Sequence, residues 1–354
     1  MVNLKDYGYN EIEIVPEGLT PGRIIEFRRD QYLVVTEYGE IYAVLKGSFV
    51  YDALVRADLP CVGDFVLIKY NESGVSLITK LLPRFSKFSR ADGSGHGYAH
   101  IKANREQIVA VNFDYVFIIT SLNRDFRVSR ILRYLTLTRG NGGKPVVILT
   151  KADLVDDFSK QVKEVNEAAP DVPVYAVSNF TGFGLEALDE YLQPGKTIVF
   201  LGMSGVGKSS LLNSLAQEDI MEVRETRHED DSKGRHTTTH RQLLMLPSGA
   251  MIIDTPGMRE IGIIDADEGI SEGFSDVEDL FTQCRFNDCR HQSEPGCAVQ
   301  EALRSGELLP YRWEQYQKQK KENSYTENRG AYLKDRTTWH KSVTKEYRAN
   351  NKKR

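Results

Sequence analysis

The chain has 354 residues, enough for two or three domains at roughly 150 residues each. A hydrophobic fraction of 40% supports packed cores and excludes global disorder or a collagen-like repeat. The formal net charge of −4 hides a polarity: residues 310–354 hold 13 basic and 5 acidic side chains, a net +8 that leaves −12 for everything before them.

The opening segment, MVNLKDYGYNEIEIVPEG, has neither a basic cap nor an apolar stretch, and no apolar run of about 18 residues occurs. Neither secretion nor a membrane span is expected, and a cytoplasmic location is the default. Residues 1–20 show no period and read as a flexible arm. Five β-branched and aromatic runs then follow between Gly, Asn and Asp turns: GRIIEF, QYLVVTEYG, EIYAVLKG, GDFVLIKYN and GVSLITKLLPR. Residues 21–85 are therefore expected to form a small β-barrel, an OB-fold by preference, with an SH3-like barrel leaving similar spacing. Cys61, in the fourth run's approach, is expected in the barrel core. Residues 86–110 combine a Gly-Ser cluster with basic residues and read as a linker.

From 111 to 272 strands and helices alternate, which predicts a parallel sheet with helices on both faces. Strands are expected at YVFIIT (115–120), PVVILT (145–150), VYAVS (174–178) and TIVFLG (197–202), with helices near 127–139, 158–168 and 184–192. Residues 273–325 read as a mostly helical domain carrying a cysteine cluster, and 326–354 as a basic tail.

Gly202-Met203-Ser204-Gly205-Val206-Gly207-Lys208-Ser209, followed by Ser210, has the phosphate-loop pattern between a strand and a helix. Glycines let successive backbone N–H groups curl around phosphate oxygens at a helix N-terminus. Lys208 is placed to reach the β- and γ-phosphates, and the Ser209 hydroxyl to ligate Mg²⁺. Asp254-Thr255-Pro256-Gly257 closes the run AMIID, putting a carboxylate where Mg²⁺ needs an outer ligand and a Gly257 N–H near the γ-phosphate. The polar segment 221–242 between them has the composition of a switch, and Thr238 is the favoured member of Thr237-Thr238-Thr239 to complete the Mg²⁺ shell.

Thr150-Lys151-Ala152-Asp153 follows a strand and has the pattern of a guanine-reading turn. A carboxylate suits the adjacent N1–H and 2-amino donors of guanine, which adenine lacks, and Lys151 lays its stem across the base. Asp153 thus favours GTP over ATP. Ser178-Asn179 is the companion turn. In ordinary GTPases the phosphate loop comes first and the base-reading turns last; here they precede it, so the set is complete but rotated. The segment after Gly257 consequently runs straight into the C-terminal domain.

Cys284-x4-Cys289-x-His291-x5-Cys297 offers three thiolates and one imidazole, the ligand set of one structural, four-coordinate Zn²⁺ with no open catalytic position. A β-barrel, a permuted GTPase carrying GMSGVGKSSLLN, GRHTTTHR and DTPGMRE, and then CRFNDCRHQSEPGCAV together resemble the ribosome small-subunit-dependent GTPase A family over residues 20–325. The resemblance implies GTP hydrolysis to GDP stimulated by the small ribosomal subunit, a role in that subunit's late maturation, and an rRNA-binding OB-fold and zinc domain. This chain has Thr150 where much of the family has Asn, which loses an amide that braces the phosphate loop and predicts a modest cost in GTP affinity.

Hydrolysis needs a positioned water, and Met258-Arg259-Glu260 after Gly257 contain no water-orienting glutamine. Slow intrinsic turnover is expected, with His236 as the substitute, a residue that the family resemblance also implies is catalytic; Lys208 supplies charge neutralisation. Arg84 to Arg90, Arg285, Arg290 and the basic tail are the candidate RNA-facing patches, the tail serving equally well as a solubilising end. A monomer is expected. The competing function is an RNA-binding assembly protein whose guanine-nucleotide site is regulatory and essentially non-catalytic.

Overall fold

Alternating β-branched runs become strands because every second side chain can enter a core. In the computed structural model these are β1 (Thr20–Arg28), β2 (Gln31–Thr36), β3 (Gly39–Leu45), β4 (Phe65–Lys69) and β5 (Ser76–Leu81), with α1 (Gly47–Asp52) after β3. The structure describes residues 2–10, 14–28, 31–53, 56–91, 106–123, 126–220, 242–254 and 267–323. Strands pair in the order β1-β2-β3-β5-β4, and β4 returns to β1, so the barrel closes. The β3–β5 pair is parallel, the connectivity of an OB-fold rather than of an SH3-like barrel. Cys61 is half-buried in the turn before β4, where its N–H donates to the Asp64 carboxylate at 2.7 Å, and is not part of the barrel interior.

Two stretches expected to be loose contain local structure. Leu4–Tyr7 forms a 3-10 turn capped by Asn3 and closed by Gly8 in the left-handed region, and Tyr9 packs on Phe65 with ring centroids 5.6 Å apart. Within 86–110, β6 (Lys87–Ala91) pairs antiparallel with β7 (Glu106–Val111).

The next strands are β8 (Tyr115–Ser121), β9 (Lys144–Thr150), β10 (Val174–Ala176), β11 (Thr197–Leu201), β12 (Gln242–Met245) and β13 (Met251–Asp254). Their order is β10-β9-β8-β11-β13-β12, parallel except for β12, which runs antiparallel to β13. Phe117, Ile119, Ile148 and Phe200 point to one face with Val206, Leu211 and Leu212, while Val116, Ile118, Val147 and Val199 on the opposite face are equally buried. Near-continuous apolar strands are what a sheet covered on both sides requires. The helices are α2 (Val128–Arg139), which packs on β8 and β9, α3 (Ser159–Ala168) and α4 (Lys208–Ala216); the expected helix near 184–192 is a 3-10 turn, Leu185–Leu188. Strand β12 also pairs with β1 at Glu26↔Gln242, beyond the residues of β1 that pair with β4, which merges barrel and parallel sheet into one eleven-stranded sheet.

The chain divides into two compact units, Met1–Ile261 and Gly262–Arg354. The second contains α5 (Asp267–Gly273), α6 (Ser275–Phe281), α7 (Ala298–Ser305) and a helix over 310–323, around Ile270, Phe274, Val277 and Val299. The expected boundary at 272–273 falls at the end of α5, which belongs with the helices after it. Among the described residues no helix is long and apolar enough to cross a membrane.

Candidate nucleotide site and metal centre

Strand order reverses at β8: the chain steps from β8 to β9 to β10 on one side, then returns to place β11 and β13 on the other. In an open parallel sheet the crevice beside such a reversal, at the C-terminal strand ends, is where ligands bind. The predicted residues lie on that edge. Thr150 ends β9, Ser178 follows β10, Gly202 follows β11, and Asp254 ends β13.

After β11 the chain turns through Gly202, Met203, Ser204, Gly205, Val206 and Gly207 into α4. Gly202 passes so close to β8 that a Cβ would sit 2.4 Å from the Ile119 carbonyl oxygen, so only glycine fits. Val206 anchors the loop in the sheet's core. Lys208 opens α4 and folds back over the loop, donating from Nζ to the carbonyls of Gly202 at 2.7 Å and Met203 at 2.5 Å. Ser209 and Ser210, in the first turn of α4, are half-buried.

The base-reading turn touches this loop directly. Thr150 is fully buried, and its hydroxyl lies 2.5 Å from the Val206 carbonyl and 3.2 Å from that of Thr120. The brace that an asparagine amide would provide is thus made by a hydroxyl. Lys151 adopts the left-handed conformation, with φ of 62°, which sharpens the turn and leaves Asp153 exposed in the following 3-10 turn. Ser178, buried, donates its hydroxyl to Asp153 Oδ1 at 2.5 Å, fixing the carboxylate, and Asn179 Nδ2 lies 3.4 Å from the Gly207 carbonyl. The loop after Ser178 folds tightly because Gly184 can approach Ala176, where a Cβ would meet a carbonyl oxygen at 2.3 Å. Residues 150–153, 178–179 and 202–209 therefore form one contiguous site despite their rotated order.

In the second unit Cys284, Cys289, His291 and Cys297 bring their ligand atoms within 4.8 Å of one another. His291 Nδ1 lies 3.5 Å from Cys284 Sγ and 3.6 Å from Cys297 Sγ. Tetrahedral Zn²⁺ with Zn–S of about 2.3 Å and Zn–N of about 2.0 Å sets such edges at about 3.5 Å, so the donors fit that ion. Burial holds the imidazole below its ordinary pKa, against the pull of Glu294, and keeps it in the neutral, ligating form at pH 7. The ring stacks on Phe281 at 4.2 Å, and the Gln300 amide donates to the His291 carbonyl at 2.8 Å. Glu294 ties the knuckle together: its own N–H and those of Gln292 and Arg290 donate to its carboxylate and hold its pKa down at about 2.

The family model of the RsgA GTPase matches residues 82–264, about half of the chain. Small ribosomal subunit biogenesis GTPase RsgA 1 of Listeria innocua is 46% identical over 325 residues, covering 91% of this chain and 90% of that protein. The chain belongs to the RsgA GTPase family. RsgA of Opitutus terrae is 40% identical, with 88% and 86% covered. Among solved structures, YjeQ from Thermotoga maritima superposes with a TM-score of 0.63 at 30% identity, covering 85% of this chain and 96% of that one. YloQ, a circularly permuted GTPase, shares the fold with a TM-score of 0.58 at 24% identity, covering 85% and 94%.

Three expected members of the RsgA-type site, His236, Thr238 and Gly257, lie outside the described residues, and of Asp254 only the strand-end backbone is described. One expected RNA-facing residue is engaged elsewhere. Arg84 makes a paired contact with the Asp64 carboxylate, 2.7 Å from each nitrogen, and donates to the carbonyls of Ala57 and Leu59. It holds barrel loops together and is withdrawn from the surface patch; Arg285 and Arg290 are exposed beside the knuckle, as a surface patch requires. Sequence reasoning also missed Arg23. This fully buried guanidinium donates to the carbonyls of Tyr7 at 2.6 Å, Asn112 at 2.9 Å and Gly63 at 3.3 Å, and lies 4.8 Å over the Phe65 ring. Burial lowers its pKa to about 10, so it stays charged at pH 7. The available signal was a cation directly before the apolar pair Ile24-Ile25 in β1.

Proposed function

We propose that the chain hydrolyses GTP in a manner stimulated by the small ribosomal subunit, late in that subunit's maturation, acting in the cytoplasm as a monomer. The observation that supports this is the contact between base-reading turn and phosphate loop, Thr150 Oγ1 to the Val206 carbonyl, which ties the turn carrying Asp153 to the loop that leads into Lys208. The small ribosomal subunit is taken from the relatives, which are small ribosomal subunit biogenesis GTPases.

In this mechanism Asp153, held by Ser178, accepts from N1–H and the 2-amino group of guanine, and Lys151 covers the base. Backbone N–H groups of residues 203–209 take the phosphate oxygens, and Lys208 leaves the Gly202 and Met203 carbonyls to neutralise charge growing on the β- and γ-phosphates. Ser209 and Thr238 would hold Mg²⁺ through their hydroxyls, with the Asp254 carboxylate as an outer ligand, and the ion would neutralise phosphate charge. The Gly257 N–H holds the γ-phosphate. His236 orients the attacking water when the small subunit is bound. Cys284, Cys289, His291 and Cys297 would hold one structural Zn²⁺, and the knuckle would present Arg285 and Arg290 to rRNA, with the barrel as a second contact.

The test is GTP turnover by the full chain with purified small subunits, with large subunits, and alone. Acceleration by small subunits only, abolished by His236→Ala, is expected. Equal turnover in all three contradicts the proposal and favours the regulatory, non-catalytic site.

A further inference from the structure

We propose that the side-chain amide of Asn179 reads the N7 edge of the guanine while bracing the phosphate loop, a dual task that Thr150 cannot perform. The inference rests on the nucleotide site proposed above and assigns this chain's division of labour within it.

A threonine hydroxyl has one proton to give. At Thr150 its nearest acceptor is the Val206 carbonyl, 2.5 Å away, and the residue is fully buried beneath the loop. Thr150 is therefore a brace with nothing left to donate to a base. Guanine, however, presents two different edges. Its Watson–Crick donors are matched by Asp153, whereas O6 and N7 are acceptors and need N–H groups. N7 lies on the part of the purine between the Asp153 end and the phosphates.

Asn179 stands at that place. It directly follows Ser178, whose hydroxyl holds Asp153, and its Nδ2 lies 3.4 Å from the carbonyl of Gly207, the residue before Lys208. A Cβ built on Gly207 would be 3.5 Å from Asn179 Nδ2 and 3.6 Å from Thr150 Oγ1, so the two side chains flank the same loop peptide from two different strands. The Gly207 carbonyl fixes the amide's orientation, since turning it over would set oxygen against oxygen. An amide nitrogen carries two N–H groups. One faces Gly207; the other has no partner among the described residues, and the Oδ1 beside it is likewise buried without one. A half-buried amide pinned at one N–H and uncommitted at the other, between the carboxylate and the phosphate loop, is a donor held for the purine's acceptor edge.

The full chain is titrated with GDP and with 7-deaza-GDP, in which a C–H group replaces N7, and the titrations are repeated with Asn179→Ala and Asn179→Asp. The wild type should bind the 7-deaza nucleotide about threefold to tenfold more weakly, the cost of one neutral hydrogen bond. Neither variant should prefer GDP over the 7-deaza nucleotide. Asn179→Asp preserves shape but replaces the donor with a charged acceptor, so a packing role would leave the preference for GDP intact; that preference retained in either variant overturns the proposal. A wild type that binds GDP tightly but does not distinguish 7-deaza-GDP overturns it while leaving the guanine site standing. A wild type preferring adenine nucleotides overturns both.

Discussion

The metal knuckle and the nucleotide site are built on opposite plans. All four knuckle donors come from one segment, 284–297, and converge through a short turn, a glutamate collar and the start of α7. The nucleotide site instead collects residues from 150, 178 and 202–209, which meet only because β9, β10 and β11 share one sheet. A local site can form as soon as its ion binds; a distributed one exists only after the sheet has closed. Permutation is tolerated for the same reason, since the strand ends meet in space whatever order the chain visits them.

The largest effect that should separate the two is loss of the metal. Replacing Cys297→Ser, or chelating the ion, should release about one zinc per chain and abolish the cooperative melting of the helical unit, because a structural zinc contributes on the order of 10 kcal/mol. GDP affinity should stay within about twofold, as titration calorimetry would show. A nucleotide site that failed together with the knuckle would erase the distinction.

Arg23 supplies the converse perturbation. Arg23→Met leaves the carbonyls of Tyr7, Gly63 and Asn112 without their shared donor, at a cost of about 3 kcal/mol or more. Urea midpoints should fall for the unit holding barrel and sheet and stay fixed for the helical unit. As a surface control, Arg304→Ala removes an exposed pair with Glu301 and should cost under about 1 kcal/mol.

A smaller effect sharpens the distributed half. Ser178→Ala frees the Asp153 carboxylate and leaves the Thr181 N–H without its acceptor, so it should weaken GDP binding about tenfold, lower the stability of the unit holding barrel and sheet by about 1 kcal/mol and leave the helical unit unchanged. Unchanged affinity would mean that Asp153 needs no partner to hold its place.

Legibility in the sequence followed the same division. The phosphate loop, the cysteine cluster and the strand-end turns are short patterns whose chemistry depends on near neighbours, and the structure brings together those at 150–153, 178–179, 202–209 and 284–297. The barrel runs were readable as strands, but only the parallel β3–β5 pair decided between two barrel types. What composition could not reveal are partners fixed by distant chain. Arg84 looks like a surface cation until Asp64 and the carbonyls of Ala57 and Leu59 converge on it. Arg23 looks like an interruption of a strand until three carbonyls from positions 7, 63 and 112 close around it. Thr150 looked like a lost brace because a motif names residue types, whereas the loop needs only a donor at the Val206 carbonyl.

The convergence of rotated motifs on one guanine nucleotide is tested most directly by changing the base that Asp153 accepts. Asp153→Asn replaces an acceptor with an amide that can donate, so the variant should lose GDP affinity by on the order of 100-fold and gain affinity for xanthosine diphosphate, whose 2-oxo group accepts where guanine donates. Undiminished GDP binding by Asp153→Asn, with no gain for the xanthine nucleotide, would contradict the account.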